Sequence, residues 1–566
     1  LASSWAKRCD LIAALFLVLI TLFRFWYAGQ HELVQDEAYY WQWSRHLAFG
    51  YYDNTPAMAF VIRFFTAILG TNEVGVRAGA IVSALIASIF IYLLAKRILE
   101  PQIALLAVIV ANIIPLFAAG ALLMTQDPVQ LAFWSATLYV AWLAVEAPSP
   151  ADDTPNPPAP FPTREGGEKA PTPSPSPAAT GEGSRTRWGL WMIAGVLAGL
   201  TAMSKLNGLL ILPSIFLYLC LAPSARHWLK RPAPYIAAAV AFALFAPFIW
   251  WNHTHEDAFW IHIHAMGSRG EENGFTLRWL GEFLGAQAAL VSPLLFLTYL
   301  WGLLTPRRTP NPPAPFPTGE GGANSKGSFP ERDARENGLL FLWCPSVVVF
   351  TATVAVALHG RVEGNWAVAA YISGMILVAV LVDRQWRTTI GKIWHGLSLL
   401  LALALSLLIL FPNIGYALGL RLGAANDRTN ELYGWKQMAD RAGEVRTALG
   451  GPQKCFVFGV NYRIPSELAF YLSDHPETYS LFLHDRANEY MFWEDEKELI
   501  GKNAVFVNVS DTQKHLADCR AVFTRVVPQR PLFIYRKPYK EPIRVVQIYA
   551  CYGFKGYNPR DWQQGW

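Results

Sequence analysis

Long apolar runs separated by short polar segments dominate the first 412 residues of the chain. Runs of about 17–25 residues are long enough to cross a hydrocarbon core. They predict helices at 11–28, 74–98, 101–119, 128–146, 188–203, 207–222, 233–251, 276–304, 338–358, 366–382 and 393–412. Lys7 and Arg8 precede the first run as they would in a signal peptide. No small-x-small cleavage site follows, however, and Arg24, Trp26 and Tyr27 form an interfacial anchor, so this helix is expected to be retained. After residue 412 the pattern changes. Lys454–Val460 (KCFVFGV), Asn503–Val509 (NAVFVNV) and Pro531–Lys537 (PLFIYRK) read as strands, and they alternate with helix-period stretches such as Asn430–Leu449. The expected fold class is a polytopic α-helical membrane domain over 1–412, with about eleven spans, and a soluble α/β domain over 413–566.

Composition supports this. The chain is 53% hydrophobic, 14% aromatic and only 16% charged, with a mean hydropathy of +0.23. A soluble domain carries about 25% charged residues. The net charge of +5 matters less than where the basic residues fall. With the helix count above, Lys7/Arg8, Lys96/Arg97, Arg185/Arg187, Arg226/Lys230/Arg231, Arg307/Arg308 and Arg384/Arg387/Lys392 all lie on one side, which is therefore expected to be cytoplasmic. The opposite side receives loops 29–73, 120–127, 252–275 and 359–365 and the tail, leaving the amino terminus inside and the tail outside. The six cysteines show neither CxxC nor Cys/His metal spacing. Cys455, Cys519 and Cys551 would face an oxidising compartment, with room for one disulfide and one thiol left over.

Two cytoplasmic loops carry nearly the same text, TPNPPAPFPTREGG (Thr154–Gly167) and TPNPPAPFPTGEGG (Thr309–Gly322). Such Pro-rich sequence favours extended polyproline II and cannot build a core. The loops 147–187 and 305–337 are expected to be disordered. Its P-x-x-P spacing would suit an SH3-like partner, but a structurally neutral insertion is the simpler reading. Deleting either repeat is expected to leave activity near wild type, and a large loss in an activity assay would refute that.

The candidate chemistry lies in the opposite loops. LVQDEAYYWQW (Leu33–Trp43) places Asp36 and Glu37 beside Tyr39 and Tyr40 just beyond the first apolar run, and Tyr52, Asp53, Arg63 and Arg77 follow. Asp127 sits in MTQDP, Lys205 and Asn207 in MSKLNG (Met203–Gly208), and Arg361, Glu363 and Asn365 in HGRVEGNW (His359–Trp366). Loop 250–274 holds Arg269 and four histidines, His253, His255, His262 and His264. Acids at some helix mouths and bases at others suit a charged substrate held between them, and ionisable groups this close to a bilayer mark functional sites. Arg63 and Arg361 equally suit anchoring to headgroups. Asp36 and Glu37 are about 100° apart on a helix, so the natural acid pair is one of them with Asp127. The histidine spacing fixes no ligand set. No cofactor is required by the sequence, and a divalent metal stays open.

Asp36–Ala80 (DEAYYWQWSRHLAFGYYDNTPAMAFVIRFFTAILGTNEVGVRAGA), followed in order by MTQDP, Gly199–Ser214 (GLTAMSKLNGLLILPS), WWNH…SRG and GNW…Y, resembles bacterial glycosyltransferases related to the protein O-mannosyltransferases. These include lipid A aminoarabinose transferases and lipopolysaccharide-core galacturonosyl transferases. The resemblance covers roughly residues 10–410. One departure is Asn54-Thr55-Pro56 where the family usually has His-Pro-Pro, and it bears on acceptor contacts more than on the fold. The resemblance implies a GT-C architecture in a bacterial inner membrane, a polyprenyl-phosphate sugar donor, and a lipid, glycan or protein acceptor, with no nucleic-acid partner. It also implies roles: Asp36 as general base, Glu37 and Asp127 in support, and Lys205, Arg269 and Arg77 on the donor phosphate. Tyr39, Tyr40, Tyr52, Asp53 and Asn365 are expected as acceptor or loop contacts. The competing reading is a transporter or flippase of a polyprenyl-linked or anionic substrate, which would place its ionisable groups near the bilayer midplane.

Overall fold

The computed structural model describes residues 2–146, 179–267, 275, 277–305, 329–420, 423–481, 487–493, 496–509 and 512–556. Both Pro-rich repeats and Arg269 lie outside the described residues.

Helices α1 (Ala2–Ala28), α2 (Gln35–Arg45), α3 (Ala57–Leu69), α4 (Glu73–Ile98), α5 (Pro101–Ile113), α6 (Pro115–Gly120), α7 (Gln126–Glu146) and α8 (Ala179–Ser204) open the chain. Among the described residues six helices are long and apolar enough to cross a membrane, with one further bent pair. This is fewer than the apolar runs suggested, because prolines and turns divide several of them. Run 101–119 breaks at Ile114–Pro115. Run 276–304 becomes Leu277–Val291 and Pro293–Leu304, bent by 111° at Ser292, whose φ is +80°. Pro293 has no N–H to continue the first helix and is suited to starting the second.

Segment 29–73, read as a loop, contains two helices. In α3, Met58, Ala59 and Ile62 are buried while Phe60, Phe64, Ile68 and Leu69 are exposed. An apolar face turned outward next to spanning helices is the geometry of a helix lying along a membrane surface. It packs closely on α4, where a Cβ on Gly79 would come 2.5 Å from Val61.

The bundle has two chemically distinct ends. At one, Lys96 pairs with Asp10 (2.6 Å), Arg97 with Glu146 (2.8 Å) and Arg335 with Glu100 (2.6 Å). At the other end of α4 and α7 stand Arg77 and Asp127.

Strands β1 (Cys455–Gly459), β2 (Thr478–Ser480), β3 (Asn503–Asn508), β4 (Phe523–Pro528), β5 (Leu532–Ile534) and β6 (Arg544–Phe554) form one sheet, in the order β2-β1-β3-β6-β4, with β5 on β6. β1 runs parallel to β2 and β3, and β6 is antiparallel to its neighbours. Alternation along the strands buries Val457, Val505 and Val507 with Trp435 and Met438 on one face, and Phe456, Phe458 and Phe506 with Phe523 on the other. Cys519 and Cys551 are both buried with their sulfurs 3.6 Å apart, and they are free thiols, as is Cys455.

The tail sits directly on α2. Tyr471 Oη accepts from Leu33 N–H (2.7 Å), Glu32 accepts from Trp435 N–H (2.7 Å), and Trp41 packs edge-on against Phe470.

Candidate active site

The acidic pair divides as helix geometry requires. On α2, Glu37 points into the bundle and Asp36 away from it. Glu37 is 0% exposed and pairs with Arg77, 3% exposed, at 2.7 Å. It also accepts from Met124 N–H and, as part of a capping box, from Val34 N–H. Arg77 spends all five of its N–H donors inside the chain: on Glu37 and on the carbonyls of Ala28, His31 and Glu32. Arg77 therefore has no donor left over for a phosphate, and Glu37 is fully buried. Together they brace the end of α1, α2, α4 and the loop before α7.

Asp36 is an exposed residue, yet protein packs around its carboxyl closely enough to strip away much of its water. It accepts from the Tyr462 hydroxyl at 3.0 Å. Loss of water pushes its carboxyl above the usual range, the Tyr462 hydrogen bond and the Arg463 charge pull it down, and Asp53 and Glu431 push it up again.

Asp127, at the start of α7, is bound at both oxygens. Lys205 Nζ donates to one and Asn365 Nδ2 to the other, each at 2.6 Å. Lys205 stands where α8 ends in a tight turn, and Gly208 makes that turn fit, since a Cβ there would lie 2.4 Å from the Thr201 carbonyl. Asn207 extends the cluster by accepting from Gln130 (2.7 Å) and donating to the Trp366 carbonyl (2.9 Å). The three segments MTQDP, MSKLNG and GNW thus meet.

Tyr40 connects this cluster to Asp36. Its hydroxyl lies within electrostatic reach of Asp36, Asp53 and Asp127, which together with burial drive its proton affinity well up. Three carboxylates thus surround one phenol: Asp36, Asp53 and the Asp127 that Lys205 binds.

Other expected contacts have partners within the chain. Tyr39 is buried, donating to Asp53 (2.7 Å) and accepting from Glu489 N–H (2.8 Å). Tyr52 is buried too, its N–H on the Glu489 carboxylate. They join loop to tail. Asn365 donates to Asp127. Of the histidines, His262 approaches Asp53 at 3.8 Å and His255 stacks on Trp251. Among the described residues no group of three or more His, Cys, Asp or Glu is placed to hold a metal.

Tyr462, Arg463 and Glu489 were not singled out by sequence. The available signal was position: Tyr462 follows the carboxyl end of a predicted strand, where open α/β sheets commonly bind ligands.

The family pattern of dolichyl-phosphate-mannose-protein mannosyltransferases matches residues 53–152 and 182–251. The lipid A galacturonosyltransferase RgtD of Rhizobium johnstonii is 27% identical over 352 residues, 62% of this chain and 61% of that protein. The chain therefore aligns with about three-fifths of that relative's length. In structure it is similar to ArnT from Cupriavidus metallidurans bound to undecaprenyl phosphate, with a TM-score of 0.58, 16% identity and coverage of 99% of this chain and 100% of that one. Against the apo form of ArnT the TM-score is 0.55 at 16% identity, covering 97% and 98%.

Proposed function

For a chain that has the GT-C membrane fold and resembles the lipid A-modifying glycosyltransferases, we propose an inverting transfer of a sugar from a polyprenyl-phosphate donor to a lipid acceptor of the lipid A kind. The membrane domain, 1–412, carries the reaction, and the tail, 413–566, covers its outer end. The feature that carries this reading is the group formed by Asp36, Tyr40 and the Asp127–Lys205 pair, both carboxylates lying within electrostatic reach of the Tyr40 hydroxyl. It offers a base and a cation at one end of an apolar bundle, where a membrane-anchored phosphate can reach them.

The acceptor hydroxyl oxygen attacks the anomeric carbon, its proton passes to Asp36, and the bond from that carbon to the phosphate oxygen breaks with its electron pair staying on the polyprenyl phosphate. A carboxylate whose proton affinity is raised by its surroundings is a better base near neutral pH. Polyprenyl phosphate leaves readily, so a fixed cation suffices to stabilise its growing charge. Lys205 is that cation. Asp127, held by Asn365, orients it, and among the described residues Lys205 makes no other side-chain hydrogen bond. Arg269 is proposed as the second phosphate ligand.

The site lies at the end of the bundle opposite the Lys96, Arg97 and Arg335 ion pairs. Under the positive-inside rule this supports an extracytoplasmic site and tail and a cytoplasmic amino terminus in a bacterial inner membrane. Ionisable groups gathered at one end, not at the midplane, favour transfer over transport.

Lys205→Ala is expected to weaken binding of a polyprenyl-phosphate sugar by about ten- to a hundred-fold, the worth of a charged hydrogen bond. Titration of the purified protein in nanodiscs measures it. Unchanged affinity would remove Lys205 from the phosphate site.

A further inference from the structure

The Asp36 carboxylate receives its hydrogen bond from the tail, 426 residues away in sequence, and not from the membrane bundle. Strand β1 ends at Gly459, and Tyr462 is the N-cap of the helix Arg463–Tyr471 that follows. Because β1 is parallel to both β2 and β3, this turn lies at the carboxyl end of adjacent parallel strands, the edge where open α/β sheets present functional side chains. The helix packs on α2, its Tyr471 hydroxyl bonded to Leu33 N–H and to Glu73 (3.1 Å). The Tyr462 ring lies 4.3 Å from that of buried Tyr39, which fixes the hydroxyl over Asp36. Arg463, exposed and beside the Tyr462 ring (5.7 Å), makes no ion pair among the described residues.

We infer that the tail completes the active site, Tyr462 acting as a positioning residue that holds the Asp36 carboxylate toward the acceptor, with the Arg463 charge beside it. This rests on Asp36 being the general base. The charged and titratable groups facing Asp36 are Tyr462 and Arg463 from the tail helix, Glu431 from the turn before Tyr433, Asp53 from the loop after α2, and Tyr40 from α2 itself. Tyr462 and Arg463 favour the carboxylate, and Asp53 and Glu431 oppose it. Removing either favourable group therefore raises the pH at which the base is half-ionised, so the acid limb of the rate profile moves upward.

The test is the pH dependence of kcat for transfer by the full-length protein in nanodiscs. Tyr462→Phe keeps the ring on Tyr39 and removes only the hydroxyl. Its acid limb is expected to move up by about one pH unit, with the plateau turnover also lowered because the carboxylate loses the contact that positions it, and KM for the donor unchanged. Arg463→Gln, at an exposed position that does not threaten folding, should move the limb the same way, and Arg463→Lys should restore it. A uniform loss of turnover with the limb in place for both variants would overturn the inference and make the tail contact a packing one. Asp36→Asn, run in parallel, separates the two ideas. If it stays active, the general-base reading fails and this inference with it; if it is inactive while the limbs stay fixed, only the role of the tail falls.

Discussion

Asp36→Asn is expected to lower turnover by about a hundred- to ten-thousand-fold, the usual worth of a general base, with donor affinity and thermal unfolding close to wild type. The substitution keeps the size of the side chain and an oxygen for the Tyr462 hydroxyl, but it removes the group that accepts the proton. Asp36 keeps an exposed face and makes no ion pair among the described residues, so little stability depends on its charge. The same change at neighbouring Glu37 should behave in the opposite manner, lowering stability more than chemistry. Side-by-side turnover and melting measurements on the two Asn/Gln variants check this, and equal turnover losses without a stability loss at Glu37 would contradict the division of the pair.

Arg77→Ala is expected to cost about 3–5 kcal/mol of stability, because it strands the Glu37 charge in a fully buried site. It also releases the carbonyls of Ala28, His31 and Glu32, which cap the end of α1 and the approach to α2. Melting in detergent reads the loss. If folded protein is recovered with normal stability and weakened donor binding, Arg77 is a phosphate ligand after all and the brace is misread.

Much of the architecture is visible in the hydrophobic pattern, since runs such as 74–98 and 393–412 have no alternative to being long helices. What the pattern misses is where runs break. Pro115 and Pro293 divide apolar stretches without changing their hydropathy, and the 111° bend at Ser292 depends on one backbone angle. The amphipathic α3 was lost because its apolar face is too short to count as a span.

The site divides in the same way. Asp127, Lys205 and Asn365 meet, as residues at neighbouring helix mouths can be expected to do. A charge in a motif does not reveal its own partner, however. Arg77 and Lys205 are both basic residues at the same end of the bundle, yet Arg77 is closed by Glu37 and three carbonyls, and Lys205 is bound to the Asp127 carboxylate. Nor does local sequence show that Tyr462 returns to Asp36, because that contact depends on how the tail packs on α2.

The measurement that bears most directly on the central claim is a cryo-EM map of the full-length protein in nanodiscs with a polyprenyl phosphate added. The expected result is phosphate density about 3 Å from Lys205 Nζ, with Asp36 across the same cavity under Tyr462. Phosphate bound away from Lys205, with a continuous polar path crossing the bundle, would contradict glycosyl transfer and make transport the function of this fold.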